Sequence, residues 1–361
     1  MIRNVLNIIR HLLRGGPEVG TTPADTIHRE NKWELRRYRP APDVERLEAD
    51  PVLLVPSLIN RHYILDLIPR KSFVQYLLGQ GHDVYIIDWG RPTAEDRFLT
   101  LDDYCDTYLG RAVRKVARRS PSGKIQLLGY CLGGTLTTIY AAAHPEHIAK
   151  MALLAAPVDF HDHGLLSTWG RTETVDVDAI VDGFGNMPWP LMQFGFQMLR
   201  PTMNLSKAVY ALDRGTDDRF LEGFLALETW SNDNVSFPGE AFRRYIGDLY
   251  GDNQLVEDEF ALSGRRIYLS DIECPVLNVT FEHDHIVPAE SAKALNDHVG
   301  DELMNHVHLY GGHVGSVISS KADENLWPVV EKWFAGESSW FSEDDGDDGD
   351  DKDETSVEEA A

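Results

Sequence analysis

The residues most suited to covalent chemistry lie in the pentapeptide Gly129-Tyr130-Cys131-Leu132-Gly133, between a run typical of a buried strand and a helical run. A sharp turn between strand and helix exposes its central residue, and bulky neighbours two positions away on either side would clash. A thiolate is a strong nucleophile, and a helix N-terminus and a neighbouring imidazole both favour it. The pattern predicts that Cys131 is a nucleophile and that Gly129 and Gly133 shape the turn.

Two further residues complete the set that acid–base catalysis requires. Asp284 follows the apolar run 275–281, and His313 follows the run 304–310, so both come directly after predicted strands. The order nucleophile, acid, histidine is the order found in α/β-hydrolases, whose nucleophile elbow has the same glycine spacing. We therefore predict a triad of Cys131, Asp284 and His313, in which the histidine takes the thiol proton and the aspartate fixes the tautomer of the histidine.

Acyl transfer through a tetrahedral intermediate also needs an oxyanion hole made of N–H groups. We expect one donor at Leu132, directly after the nucleophile, and another at Ile59, in the loop after the first buried strand. His285 follows the predicted acid and either lines the pocket or fills a turn. The triad residues also have simpler interpretations: a buried inert thiol, an aspartate that caps a turn and a loop histidine.

No other cluster in the sequence carries a comparable signal. His161 and His163 alternate without a third ligand, so no metal site is predicted. Cys105 and Cys274 have no base at motif spacing, and three cysteines do not make a disulfide framework. A reducing compartment fits this cysteine usage best.

The elements that position the triad are predicted from the alternation of short β-rich runs with helical runs, which is typical of a mostly parallel sheet. We predict an α/β-hydrolase fold with a core formed by residues 31–157 and 272–336. Residues 158–271 are irregular, helical and rich in aromatic residues, and they are predicted to form a cap or lid. Residues 1–30 are predicted as an N-terminal amphipathic helix and linker, and residues 337–361 as a disordered acidic tail.

The N-terminal helix has two interpretations. Residues 1–14 place apolar side chains at helical spacing, with arginines as the only charges. They lack the uninterrupted apolar core and the cleavage site of a signal peptide, and no apolar run in the chain reaches the ~18 residues that a transmembrane helix needs. The helix either packs on its own domain or docks to a partner or an apolar surface.

The chain is strongly acidic, with 58 Asp and Glu against 34 Lys and Arg among 361 residues, for a formal charge of −24. This charge argues against a nucleic-acid partner, because phosphate neutralisation needs clustered basic residues. Eleven of the acids lie in residues 343–359, but the rest of the chain is also acidic. Arginine outnumbers lysine by 24 to 10, and the whole pattern favours a halophilic source with a salt-rich cytoplasm.

Several further motifs accompany the triad. They are Asn60-Arg61-His62-Tyr63-Ile64-Leu65-Asp66-Leu67, Asp88-Trp89-Gly90, Arg200-Pro201, Asn204-Leu205, Trp230 with Asn232-Asp233, Asp284-His285-Ile286-Val287-Pro288 and Gly311-Gly312-His313-Val314-Gly315. With these motifs, residues 31–334 resemble the polyhydroxyalkanoate synthases, most closely the class III catalytic subunit. The chain departs from that pattern at His62, where proline is common, and in its acidic tail. The tail and the charge pattern resemble those of haloarchaeal members.

The resemblance implies that Cys131, Asp284 and His313 polymerise an (R)-3-hydroxyacyl-coenzyme A (CoA) into polyester and release CoA. No cofactor is implied, because CoA is part of the substrate. The implied partners are the growing polyester chain with its granule, a second synthase subunit and a second copy of the chain, and the implied location is the cytoplasm at such granules. Two alternatives stay open: a cysteine-dependent hydrolase, such as a thioesterase or a dienelactone-hydrolase-like enzyme, and a non-catalytic granule protein.

Overall fold

The computed structural model describes residues 2–13, 15–40, 42–171 and 175–336. The tail that is predicted to be disordered, residues 337–361, lies outside these ranges. A twisted sheet of eight strands forms the centre of the described part, and apolar side chains cover both of its faces. Among the residues that the structure describes, no helix combines the length and the apolar character needed to cross a membrane.

The sheet has the strand order β1-β2-β6-β3-β7-β8-β11-β12. The strands are β1 (Ala24–Glu30), β2 (Trp33–Tyr38), β3 (Val52–Val55), β4 (Asp66–Ile68), β5 (Lys71–Ser72), β6 (Val84–Asp88), β7 (Ile125–Tyr130), β8 (Ile148–Leu154), β9 (Ala261–Leu262), β10 (Arg265–Arg266), β11 (Val276–Phe281) and β12 (Met304–Leu309). β1, β2 and β6 pair antiparallel, and the other neighbours in the sheet pair parallel. β4 with β5, and β9 with β10, form small separate hairpins.

Helices connect the strands and form the cap. The α-helices are α1 (Ile2–Leu13), α2 (Phe73–Gly79), α3 (Gly110–Ala117), α4 (Leu132–Ala143), α5 (Leu165–Arg171), α6 (Val177–Phe184), α7 (Trp189–Leu199), α8 (Met203–Asp213), α9 (Asp218–Ser231), α10 (Gly239–Arg244), α11 (Ala289–Lys293), α12 (Gly315–Ile318), α13 (Ala322–Asn325) and α14 (Trp327–Ala335). π-Helical segments span Asp103–Leu109 and Tyr245–Gly251, and 3₁₀ turns span His62–Leu65, Ala94–Phe98, Pro145–His147, Leu269–Asp271 and Ala294–Asp297.

The central strands are buried on both faces, which explains their continuous apolar runs. In β3, Leu53 and Val55 face the side of the sheet that α3 and α4 cover, and Leu54 faces the side covered by α2 and α14. Because all parallel strands of the sheet point the same way, the loops that follow β3, β7, β11 and β12 meet at one edge. The predicted α/β fold is therefore confirmed, and that edge carries the site.

The structure corrects the N-terminal boundary of the predicted core. β1 lies within residues 1–30, which the sequence analysis assigns to a helix and a linker, and it adds an edge strand to the main sheet. Its partner β2 buries Trp33 and Leu35, whereas most β1 side chains are exposed or half-buried. A polar edge strand carries little apolar periodicity, so its sequence is hard to distinguish from a loop.

The predicted cap also proves to be shorter than residues 158–271. Phe237, Phe242, Phe260 and Leu269 lie within that range, but they are buried in the same cluster as α3 and α4. The cap itself consists of α5 to α9, which expose many side chains, although Val181 of α6 reaches the same cluster. Apolar content is similar in both parts of the insertion, so composition does not separate cap from core.

The acidic surface leads to a prediction about salt. The carboxylates outside the acidic tail repel one another over a Debye length of about 10 Å at 0.1 M salt. At about 1 M salt this length shortens to about 3 Å. We expect the thermal unfolding midpoint and the activity to rise between these two concentrations. A chain truncated after residue 336 is the control: it should show the same trend, because the remaining chain is still acidic. Highest stability at low salt would contradict the interpretation as a halophilic protein.

Candidate active site

Cys131 lies on a strained turn between β7 and α4. Its φ of 55° and ψ of −131° are backbone angles that a residue with a side chain seldom adopts. A Cβ on Gly129 would lie 2.5 Å from a backbone carbon of α4, and a Cβ on Gly133 would lie 2.1 Å from Val55 O. Cys131 N–H donates to Leu154 O at 3.0 Å, which ties the turn to β8. The two glycines therefore allow the close packing that brings the thiol to the edge of the sheet.

Asp284 lies in the turn after β11, and its side chain is fully buried. Its Oδ1 accepts hydrogen bonds from Ile286 N–H at 2.9 Å and from Val287 N–H at 2.8 Å. Its Oδ2 lies 2.6 Å from His313 Nδ1. Because a carboxylate can only accept, Nδ1 carries the proton and Nε2 is left to exchange a proton with a nucleophile. The turn thus fixes both the carboxylate and the tautomer of the imidazole.

His313 follows β12 and packs against Tyr130, the residue before Cys131. Its ring stacks on that of Tyr130 with 5.3 Å between centroids, and its backbone O accepts a hydrogen bond from the Tyr130 hydroxyl at 3.0 Å. Burial acts to lower the pKa of His313, but the charges of Asp284 and Cys131, with hydrogen bonds to both, raise it to about 10. The site therefore stabilises the imidazolium that forms when His313 accepts a proton.

The two expected oxyanion donors lie at the start of α4 and in the loop after β3. Leu132 is the first residue of α4, so the helix offers no acceptor for its N–H. Ile59 lines the same cavity as Cys131, and its N–H makes a long contact of 3.4 Å with Ser57 Oγ. Leu132 therefore borders Cys131 along the chain, and Ile59 shares the cavity wall with it.

A cavity of about 370 Å³ is lined by Cys131 and His313 on the core side. α7, α8 and α9 supply the cap side, with the apolar side chains Phe196, Leu199, Met203 and Trp230. The same wall holds a charged pair, in which Lys207 Nζ lies 3.2 Å from Glu228 Oε1. The arrangement suits a substrate that has both an apolar part and a polar part.

His285 lies in the cavity wall. Of the two sequence interpretations, a residue that lines the pocket or one that fills a turn, the structure agrees with the first. The ring of His285 contacts the guanidinium of Arg200, which follows α7. Burial and the charge of Arg200 lower the pKa of His285, so its imidazole is neutral at pH 7. The two histidines of the site thus differ in charge: His313 favours the protonated form and His285 the neutral one.

The other cysteines and the histidine pair do not form a second centre. Cys105 and Cys274 are buried, and burial raises the pKa of both thiols, that of Cys274 to about 12. Such thiols are poor nucleophiles. His161 Nε2 lies 3.1 Å from Tyr250 O, which is an ordinary loop contact. Within the described ranges, no three or more His, Cys, Asp or Glu side chains are grouped to hold a metal ion.

Two contributors to the site, Tyr130 and Arg61, are not predicted from the sequence. Tyr130 supports His313 through a contact between residues 183 positions apart, and its only sequence signal is its place inside the pentapeptide. Arg61 lies in the cavity wall and pairs with Asp88 at 3.3 Å, at the end of β6. The local sequences around Arg61 and Asp88 do not indicate that these two side chains pair.

Comparison with known proteins identifies the family. Residues 50–314 match the family model of the α/β hydrolase fold, and residues 10–77 match that of the poly-beta-hydroxybutyrate polymerase (PhaC) N-terminus. The chain is 39% identical over 322 residues to the poly(3-hydroxyalkanoate) polymerase subunit PhaC of Haloferax mediterranei, and the alignment covers 89% of this chain and 65% of that one. Proteins of the same name from Haloarcula marismortui (38% identical, covering 91% and 70%) and Allochromatium vinosum (35%, covering 88% and 89%) are similar too.

Solved structures support the fold. A putative lipase from Sulfolobus solfataricus matches with a TM-score of 0.58 at 17% identity, covering 90% of this chain and 97% of that chain. Paleococcus ferrophilus monoacylglycerol lipase matches with a TM-score of 0.51 at 15% identity, covering 80% and 96%. At such identities the likeness concerns the fold alone. Together with the sequence relatives, it confirms the predicted fold and family: the chain belongs to the poly(3-hydroxyalkanoate) polymerase PhaC family and has the α/β hydrolase fold.

Proposed function

We propose that this chain polymerises (R)-3-hydroxyacyl-CoA into poly(3-hydroxyalkanoate), with Cys131 as the carrier of the acyl group and no cofactor. The observation that supports this most directly is the contact of Asp284 with His313 at 2.6 Å, next to a strained cysteine on the wall of a cavity under the cap. Family membership supports the same activity, since its members are named poly(3-hydroxyalkanoate) polymerases.

The first step is a transfer from one thioester to another. His313 takes the thiol proton of Cys131, and the thiolate attacks the carbonyl carbon of the CoA thioester. The oxyanion accepts hydrogen bonds from Leu132 N–H and Ile59 N–H. The bond between the carbonyl carbon and the CoA sulfur then breaks, and CoA leaves with the proton held by His313. Because one thioester replaces another, the acyl group stays reactive.

The second step extends the chain by one ester bond. His313 removes the proton from the 3-hydroxyl of an incoming (R)-3-hydroxyacyl-CoA, and this oxygen attacks the acyl carbon on Cys131. The new carbon–oxygen bond forms, the bond to the Cys131 sulfur breaks, and the thiol recovers the proton. The lengthened chain is now a CoA thioester and can acylate Cys131 again, with release of CoA.

The choice between polymerisation and hydrolysis depends on water, because water could attack the same acyl group. The cap places Phe196, Leu199 and Trp230 on the cavity wall, which favours an apolar acyl chain over water. The test is incubation with (R)-3-hydroxybutyryl-CoA, followed by measurement of free CoA, free 3-hydroxybutyrate and insoluble polyester. Polyester with equimolar CoA per unit is the expected result. Free acid in place of polyester would favour the hydrolase, and no CoA release with a second subunit present would favour a non-catalytic protein.

We further propose that α1 and α8 form the surface that binds the second synthase subunit. Polar side chains of α1 face the cap: Asn4 donates to Leu212 O at 2.7 Å, and Asn7 donates to Asp218 Oδ1 at 2.7 Å. α1 therefore does pack on its own domain, at α8 and α9, but it does so through this polar face, and its apolar stripe faces outward. α8, which α1 contacts, also exposes apolar side chains, and the most exposed members of the two helices are Leu6, Leu12, Leu13, Leu205 and Val209. The relatives are named polymerase subunits, which supports a protein partner.

Removal of residues 1–14 is expected to abolish association with the second subunit and to leave the fold intact. The helix is attached mainly through polar contacts to exposed cap residues, so little core is lost with it. Co-expression with the second subunit of the same source, followed by light scattering of the purified material, measures the complex. Removal of residues 343–361 is the control and should change nothing. A complex that survives, or a truncated chain that unfolds, would contradict the proposal; binding to polyester granules alone would identify the stripe as a granule surface instead.

A further inference from the structure

The loop that carries Ile59 is hydrogen-bonded at three successive residues to the end of the cap helix α9 and to the residues that follow it. We name residues 57–61 the oxyanion loop and residues 230–235, at the end of α9 and just after it, the clamp segment. The contacts run from Val235 N–H to Ile59 O (3.4 Å), from Asn60 Nδ2 to Asn234 Oδ1 (2.7 Å) and from Trp230 Nε1 to Arg61 O (2.9 Å). Trp230 and Val235 are buried, so the contacts at both ends of the clamp segment are shielded from water.

Asp233 adds a charged contact between the same two segments. Its Oδ2 accepts a hydrogen bond from the Tyr63 hydroxyl at 2.7 Å and lies 3.8 Å from Arg61 Nε, and its Oδ1 pairs with Arg91. Asp233 is absent from the described residues that line the cavity. It therefore contacts Arg61 at the end of the oxyanion loop, and Tyr63 just beyond it, without lining the cavity.

Arg61 is also held from the core side. Its Nη1 lies 3.3 Å from Asp88 Oδ1, and the Asp88 side chain is 7% exposed. Burial acts to raise the pKa of Asp88, but His62 and the charge of Arg61 hold it well below its usual range. Arg61 thus bridges Asp88 of the core, which is ionised at neutral pH, and Asp233 of the clamp segment.

The position of the loop matters because an oxyanion hole works through fixed geometry. Its donors must lie about 2.7–3.1 Å from the oxygen that becomes charged, and a shift of about 1 Å can lower a rate about a hundredfold. The N–H and the carbonyl of Ile59 flank one Cα, so a hydrogen bond that holds the carbonyl also restricts rotation of the N–H. Pro56 O, just before the loop, accepts from Trp89 Nε1 at 2.9 Å, which fixes the core end.

We propose that the clamp segment positions the oxyanion loop, so that Ile59 N–H is aligned for acyl transfer only while the cap is seated on the loop. This inference rests on the proposed acylation of Cys131, because it assigns Ile59 a part in that reaction. Asp233 and Tyr63 are then positioning residues, which act through the loop and have no contact with the reacting atoms. The rate of acyl transfer thereby depends on the placement of the cap.

The experiment compares two reactions of the same thiol in Asp233→Ala and Tyr63→Phe. Acylation by (R)-3-hydroxybutyryl-CoA in a single turnover passes through an oxyanion, and release of CoA measures it. Alkylation by iodoacetamide displaces iodide at a saturated carbon and forms no oxyanion, and mass spectrometry measures it. Each variant is expected to slow acylation by about tenfold to a hundredfold and to leave alkylation unchanged. The double variant should lose less than the product of the two factors, since the substitutions remove a shared contact.

Asp271→Ala is the matched control, because Asp271 is an exposed aspartate outside the clamp segment whose described hydrogen bond uses only its backbone N–H. It should leave both reactions unchanged. Unaltered acylation in Asp233→Ala, or an equal decrease of acylation and alkylation, would overturn the inference. Wild-type enzyme that releases CoA but forms free acid would contradict polymerisation while leaving the clamp testable by the same two rates. Wild-type enzyme whose Cys131 is never acylated would overturn both proposals.

Discussion

Cys131→Ala is expected to release no CoA above background from (R)-3-hydroxybutyryl-CoA and to carry no acyl group afterwards. Alanine has no lone pair to attack the thioester carbonyl, and loss of a nucleophile from a triad lowers kcat by at least about 10⁴-fold. The turn itself depends on close packing at Gly129 and Gly133, which the substitution leaves in place. Rapid quenching followed by mass spectrometry of the intact protein measures the acyl group, and a thiol reagent measures CoA.

Cys274→Ala is the matched control for this prediction. Cys274 is buried, and burial raises the pKa of its thiol to about 12, so its loss should leave the acylation rate unchanged. Cys131→Ser should restore only a small fraction of the activity, because a hydroxyl is far harder to deprotonate than a thiol. An acyl group found on Cys131→Ala would show that another residue is the nucleophile.

The sequence predicts the central strands well because their burial on both faces leaves a continuous apolar run. β7 is buried along its whole length, and β11 is too. β1 escapes prediction for the opposite reason: it lies at the edge of the sheet, and its polar side chains point mostly to solvent. Its existence depends on pairing with β2, which is information that the segment itself does not contain.

Some residues of the site can be identified from local sequence motifs, whereas others are brought to it by contacts between distant parts of the chain. Glycine spacing around Cys131 and the ends of the strands before Asp284 and His313 are local features, and they suffice to select three side chains that the fold brings together. The stacking of Tyr130 on His313 and the attachment of Asp233 to Tyr63 join residues 183 and 170 positions apart. Such contacts depend on how the whole chain packs, so periodicity and spacing do not reveal them.

Composition alone does not show which part of residues 158–271 forms the cap and which part packs in the core. The cap helix α7 and the segment around α10 are both rich in large apolar side chains, yet Phe194 is 61% exposed and Phe237 is 2% exposed. Transfer of either side chain from water is favourable to a similar degree, so sequence alone gives both the same expectation. Phe237 is buried because its segment packs against the core, and Phe194 is exposed because its helix does not bury this side chain. This difference is a property of the assembled fold.

Asp284→Asn is expected to lower kcat by about 10⁴-fold while the loop after β11 keeps its shape. The amide oxygen can still accept the hydrogen bonds that Ile286 and Val287 donate to Oδ1. The amide nitrogen then takes the place of Oδ2 beside His313 Nδ1, and since it donates rather than accepts, it favours the wrong tautomer. Removal of the Asp284 charge should also bring the pKa of His313 down from about 10 towards its ordinary value.

Two measurements test this prediction together. Single-turnover release of CoA gives the rate, and nuclear magnetic resonance of labelled histidine gives the titration of His313, which should move to lower pH. Asp66→Asn is the matched control: Asp66 is equally buried and accepts hydrogen bonds from Thr22 and Ser72, so its replacement should lower thermal stability and spare the rate per folded molecule. A full rate in Asp284→Asn with an unshifted His313 would mean that another carboxylate is the partner of the histidine. A lost rate with an unshifted titration would mean that Asp284 acts by holding the loop after β11 and not through the imidazole.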